Sequence, residues 1–179
     1  MRRASEILHK PVIVGSSGDC VGQVTNLVFD EHEGRCLAIV VKSGWLVRRA
    51  RVLSFADIVS IGTDFVAARR RESLVRPRDM PRVAEYPHSV RVKDKLLVGA
   101  DGQSLGRIVD VRIDEHSGRI EGYDLSRGRL MMRGKRAYLP VADGFVAGDD
   151  VVLAPAGAAE RLRSALPRNS DEKLTSARG

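Results

Sequence analysis

Aromatic side chains make up only 4% of the sequence, there are just two cysteines, and the apolar runs are short. Each scarcity excludes something. Few aromatics leave little to build the base-stacking platforms that grip single-stranded RNA, so any nucleic-acid contact would be to the backbone and sensitive to salt. No stretch approaches the roughly 20 continuous apolar residues of a membrane-spanning helix. The opening Met1-Arg2-Arg3-Ala4 leads into a polar segment without a signal-peptide apolar region, so a cytoplasmic location is expected. Cys20 and Cys36 flank a predicted hairpin turn whose folding sets Cys36 opposite Val28 or Phe29, so free thiols are expected rather than a disulfide. Catalytic signatures are missing as well: there is no GxGxxG after a strand, no phosphate loop ending in Gly-Lys-Ser/Thr, no HExxH, no CxxC and no GxSxG. The expectation is a protein that is not an enzyme, with no cofactor and no resident metal.

What is present is a globular composition, 43% hydrophobic, with a net charge of +7 that resembles a nucleic-acid signature until it is divided along the chain. Residues 1–68 carry 8 basic and 7 acidic side chains and residues 90–155 carry 11 and 10, so each block is only +1. Residues 69–89 hold six arginines against three acids, and 156–179 five basic against three acidic residues. Most of the excess therefore sits between and after the balanced blocks.

Those two blocks are copies of each other. A shift of 84 residues aligns Val12 to Val41 with Leu96 to Leu125 without a gap, identical at nine of thirty positions, including Gly34/Gly118, Arg35/Arg119 and an Asp-Glu-His triplet in each copy. A shift of 86 then matches Leu53 to Ala67 with Leu139 to Leu153 at six of fifteen. Val24/Ile108, Leu27/Val111, Phe29/Ile113 and Val41/Leu125 stay apolar, as inward positions of a duplicated core should.

Each copy reads as β: short Val-, Ile- and Leu-rich runs separated by turn clusters. The expected strands of the first copy are 12–14, 21–29, 36–42, 46–49, 51–54 and 65–67, with the second and third closed by the turn that carries "DEHEGR". A unit of about 65 residues buries a limited core, so the two are expected to pack on each other or on a partner.

In order, "ASEILHKPVI", "SGDCVGQVTNLVFDEHEGRCLAIVV" and "RVLSFADIVSIGTDFV", and in the second copy "LLVGADGQSLGRIVDVRIDEHSGRI" and "YLPVADGFVAGDDVVL", resemble the PRC-barrel family. The family includes the C-terminal domain of the ribosome maturation factor RimM and the cytoplasmic domain of the photosynthetic reaction-centre H subunit. The resemblance implies a mainly β protein of two tandem six-stranded, partly open PRC-type barrels with a short C-terminal helix or tail. The divisions are domain 1 at 1–68, a basic proline-containing linker at 69–89, domain 2 at 90–155 and a helical or disordered basic tail at 156–179. It also implies a bacterial, non-catalytic docking adaptor on a larger protein assembly, associated with the ribosome or a membrane complex.

Two features compete as sites. Asp30, His32, Asp114 and His116 have the chemistry of metal ligands, but only if the two turns converge; turn closure by the aspartates, with Gly34 and Gly118 in the left-handed position, explains each turn separately. The basic hairpins are more distinctive: Lys42 to Arg51 holds four positive charges and no acid, and Arg127 to Arg136 five and none. The candidate interaction surface is therefore Trp45, Arg48, Arg49, Arg51, Arg133, Lys135 and Arg136. Trp45 would serve as a core plug or an interface anchor; the second copy has Arg129 in its place. A protein partner is the expectation; RNA, an anionic membrane surface or a second copy of the chain are the alternatives. Against all of these stands a solvated strand edge, where positive charge discourages aggregation.

Overall fold

The structure, a computed structural model, describes residues 1–30, 33–43, 49–84, 92–126, 136–141, 145–148 and 150–165, with residues 49, 84, 136, 147 and 163–165 described by backbone alone. The first copy supplies β2 (Pro11–Val14), β3 (Cys20–Asp30), β4 (Arg35–Ser43), β5 (Arg49–Ser54), β6 (Ile58–Ile61) and β7 (Val66–Ala68). The second supplies β9 (Leu96–Val98), β10 (Ser104–Ile113), β11 (Ile120–Ser126), β12 (Arg136–Pro140), β13 (Val146–Ala147) and β14 (Val151–Leu153). The spatial orders are β6-β7-β2-β3-β4-β5 and β13-β14-β9-β10-β11-β12, strand for strand the same. Register shifts recur at equivalent places, between Val24 and Asn26 and between Ile108 and Asp110. The duplication read from sequence is thus a duplication of topology.

Each set of six gains a seventh strand from outside its repeat. β8 (Leu74–Val75), from the segment between the copies, pairs with β5, and β1 (Arg2–Arg3), from the chain's start, pairs with β10 of the second copy. Among the described residues the end strands of each sheet do not pair, so both sheets are open and closure into six-stranded barrels is not seen. The expected division of 46–54 also differs: Arg49–Ser54 is one strand, and residues 46–48 lie outside those described. β6 was missing from the expectation because this edge strand exposes Val59 and Ser60 together, breaking the alternation that marks a half-buried strand.

One core serves both copies. Val24, Leu27, Phe29, Ile39 and Val41 lie in a single buried cluster with their counterparts Ile108, Val111, Ile113, Tyr123 and Leu125. Ala158 and Leu162 of the helix Ala158–Ala165 join it, while Leu166 falls outside the described residues. Burying apolar side chains at about 25 cal/mol per Å2 is what makes repeats this small stable together.

The described part of the proline-containing linker, residues 69–84, is regularly structured. It forms 3-10 turns at Arg71–Ser73 and Pro77–Asp79, strand β8, and a helical turn at Pro81–Ala84. Met80 and Val83 cover an apolar outer face of the first sheet made by Val28, Ala38, Val40 and Val52. The matching positions of the second sheet are Arg112, Gly122, Asp124 and Tyr138, and these are covered by the chain's start. Asp124, 4% exposed, accepts from Arg3 Nε at 2.7 Å and Arg112 Nε at 2.9 Å. The Arg112 guanidinium lies 4.4 Å over the Tyr138 ring, which rests so closely on Gly122 that a Cβ there would be 2.3 Å from it. Each repeat's outer face is covered by the segment that precedes the other repeat.

Candidate functional site

The two Asp-Glu-His turns meet. Cys36 N donates to Gly118 O and Ile120 N to Gly34 O, both at 2.7 Å, so Arg35 and Arg119 face each other as an isolated antiparallel pair. Because Cys36 and Ile120 are equivalent positions, as are Gly34 and Gly118, the exchange is its own mirror under the 84-residue shift: a pseudo-twofold axis passes between the two arginines. Glycine is needed for the approach. Gly118 has φ +73°, and a Cβ on it would lie 2.9 Å from both Cys36 O and Phe55 Cδ1 of the first copy.

Convergence of the turns does not assemble a metal site from their aspartates. Asp30 Oδ1 accepts from Glu33 N at 2.9 Å and its Oδ2 from Arg82 at 3.1 Å, and Arg82 also binds Glu33. Asp114 Oδ1 accepts from Ser117 Oγ and Ser117 N, both at 2.7 Å, and from His116 N at 3.2 Å. The Ser117 hydroxyl, then these backbone donors, hold Asp114 below the ordinary carboxylate range. Among the described residues no three His, Cys, Asp or Glu side chains are grouped as metal ligands would be. His116 is exposed, and His32 lies outside the described residues. Asp57 and Asp143 are also equivalent positions of the two copies, and the Asp57 carboxylate faces Arg69 at 3.9 Å. Asp143 lies outside the described residues.

Trp45, Arg48, Arg133 and Lys135 also lie outside the described residues, and for Arg49 and Arg136 only their places at the starts of β5 and β12 are given. Arg51 is described, and its surroundings are informative. Pairing of Val52 with Val75 and Leu53 with Leu74 carries the segment after β8 alongside β5. That pairing brings Arg76 and Arg78 beside Arg51, and with Ala50 and Pro77 they line a cleft of about 590 Å3. Pro77 begins the 3-10 turn that separates the two linker arginines. Arg51 is half-buried, Arg76 and Arg78 exposed. Arg78 has a distant neighbour in Asp79 at 3.8 Å; Arg51 and Arg76 have no ion pair among the described residues. Arg51 was among the candidates named from sequence and its two neighbours in the cleft were not, though six arginines in 69–89 were the available signal. What it lacked was the β5–β8 pairing.

Apolar side chains are exposed at the equivalent outer hairpins of both sheets. Val59 on β6 and Val146 on β13 are 59% and 57% exposed, and Leu153, directly opposite Val146, is 45% exposed. The cysteines are free, Cys20 exposed and Cys36 buried opposite Phe29. Burial pushes the Cys36 thiol up to about 12. No helix among the described residues is long and apolar enough to cross a membrane.

The described residues thus present a duplicated sheet topology, an arginine cleft beside β5 and apolar side chains exposed at the outer hairpins. The family model of the PRC-barrel domain matches residues 1–75 and 89–161, and the chain belongs to that family, with two tandem copies of the domain. A search of curated proteins finds no match.

Proposed function

We propose that this is a non-catalytic cytoplasmic adaptor that docks, through the cleft of Arg51, Arg76 and Arg78, on an acidic surface of a protein partner in a larger assembly. The observation that carries the reading is the convergence of three arginines from two separate segments on one cleft, two of them without a counter-charge among the described residues. Planar guanidinium groups grouped in this way suit bidentate pairing with carboxylates. The exposed Val59, Val146 and Leu153 favour a protein over a polyanion as partner, since a phosphate backbone offers apolar side chains nothing.

The test is capture from native lysate with wild-type protein and the Arg51→Gln/Arg76→Gln/Arg78→Gln variant, each with and without nuclease. A protein retained at low salt, weakened at physiological salt, resistant to nuclease and lost in the variant supports the reading. Retention abolished by nuclease assigns the cleft to RNA, and retention by acidic liposomes alone assigns it to membrane; either result replaces the proposal.

A further inference from the structure

The repeated Arg35 and Arg119 are left unused by the reading above, yet the fold sets them directly opposite each other on the pseudo-twofold axis. The hydrogen bonds that flank them, rather than join them, make a wide antiparallel pair. In such a pair the Cα atoms stand about 4.5 Å apart and both side chains leave the same face. Two like charges in that relation repel, and a fold that needed only closure of the turns would have no reason to place arginine at both positions. A nearby carboxylate is the usual remedy, and Asp30 even stands opposite Arg35 in the hairpin register, but among the described residues the carboxylates of the two turns bind elsewhere. Asp30 and Glu33 are engaged by Arg82, Glu115 by Arg2 Nε at 2.8 Å, and Asp114 by its own turn. Among the described residues neither Arg35 nor Arg119 has an ion pair, and Arg35 Nε is buried without a hydrogen-bond partner.

We infer that Arg35 and Arg119 form an anion site on the axis, selective for a dianionic phosphate group, free or as a small-molecule monoester. Two guanidinium forks of fixed charge match about two negative charges and several acceptor oxygens, whereas a single carboxylate satisfies only one of them. Arg35, half-buried, supplies the desolvated donor; Arg119, exposed, closes over the ligand from the opposite repeat. The site exists only where the copies join, so a ligand there bridges them. It uses different residues from the arginine cleft, and either can fail without the other.

The experiment is a titration of the isotope-labelled full chain, at constant ionic strength and pH about 7.5, with inorganic phosphate, methyl phosphate and acetate. Saturable shifts of the amides of residues 34–36 and 118–120 are expected with both phosphates and not with acetate. Tighter binding of methyl phosphate identifies a monoester as the natural ligand; tighter binding of inorganic phosphate identifies the free ion. Affinity should fall as each ligand loses its second charge while arginine keeps its own, through about pH 6 for methyl phosphate and at a higher pH for inorganic phosphate. Arg35→Gln and Arg119→Gln should each weaken binding about tenfold or more. In phosphate-free buffer Arg119→Gln should not lower the melting midpoint, because it relieves a repulsion; a lowered midpoint with phosphate binding intact would make Arg119 structural and overturn the inference. Equal response to acetate and phosphate, or no saturable shift at these amides, would overturn it without any variant.

Discussion

Gly34 and Gly118 are the same residue of the same turn in the two repeats, and substituting alanine at each separates local conformation from the contact between repeats. Both have positive φ, +62° and +73°, so each alanine carries a similar backbone cost of about 1 kcal/mol. A Cβ on Gly34 meets nothing within 4 Å. On Gly118 it would lie 2.9 Å from Cys36 O, 2.9 Å from Phe55 Cδ1 and 3.1 Å from Phe55 Cε1, so strand and ring must both give way. Overpacking of that kind adds about 1–3 kcal/mol. Gly34→Ala should therefore cost about 1 kcal/mol and Gly118→Ala about 2–4 kcal/mol, midpoint shifts of about 2–4 °C and at least twice that for a chain of this size. Urea unfolding followed by far-ultraviolet circular dichroism gives both values, with an unchanged denaturant slope confirming that the native state is still compact. Equal costs for the two substitutions would refute the close approach of the repeats at the axis.

Three further outcomes follow from individual contacts. A thiol reagent at pH 8 should label Cys20 at once and Cys36 only after denaturation, since burial holds the latter thiol near 12; two fast equivalents would contradict that. Asp114 and Glu115, whose ordinary values are 3.8 and 4.5, are both held lower in the fold, by Ser117 and Arg2 respectively. Their contribution is thus full above about pH 5 and is lost as pH falls through the lowered values. The stability gap between wild type and Ser117→Ala, read from urea midpoints, should shrink as the solution is acidified through that range. Arg3→Ala removes one of two arginines from the buried Asp124 carboxylate, and with Arg3 40% exposed the loss should be about 1 kcal/mol; Arg112→Ala, which also strips the Tyr138 ring of its cation, should cost more.

Much of this was readable along the chain. Spacing of 84 residues between Asp-Glu-His triplets disclosed the duplication, and the conserved apolar pairs from Val24/Ile108 to Val41/Leu125 disclosed its core, because burial constrains side chains at every repeat of a fold. What a repeat comparison could not reveal were the features in which the copies differ. The outer faces carry Val28, Val40 and Val52 in one copy and Arg112, Asp124 and Tyr138 in the other, and only the structure shows that one is closed by Val83 and the other by Arg3. Strand β8 has two residues and no periodicity to signal it, so Arg76 and Arg78 read as linker charge rather than as companions of Arg51. The meeting of the two turns depends on two backbone hydrogen bonds between repeats, and backbone pairing at long range leaves almost no mark on sequence.

The claim that a protein partner docks at the β5–β8 cleft is tested most directly in the living cell, with a photo-crosslinking residue in place of Ala50, which lines the cleft, or of Ser17, which is exposed in the turn between β2 and β3. A discrete, nuclease-resistant protein adduct is predicted from position 50 that disappears when Arg51, Arg76 and Arg78 are changed to glutamine, and a weaker adduct or none from position 17. An adduct from position 17 alone, or one from position 50 that survives loss of the three arginines, would contradict it.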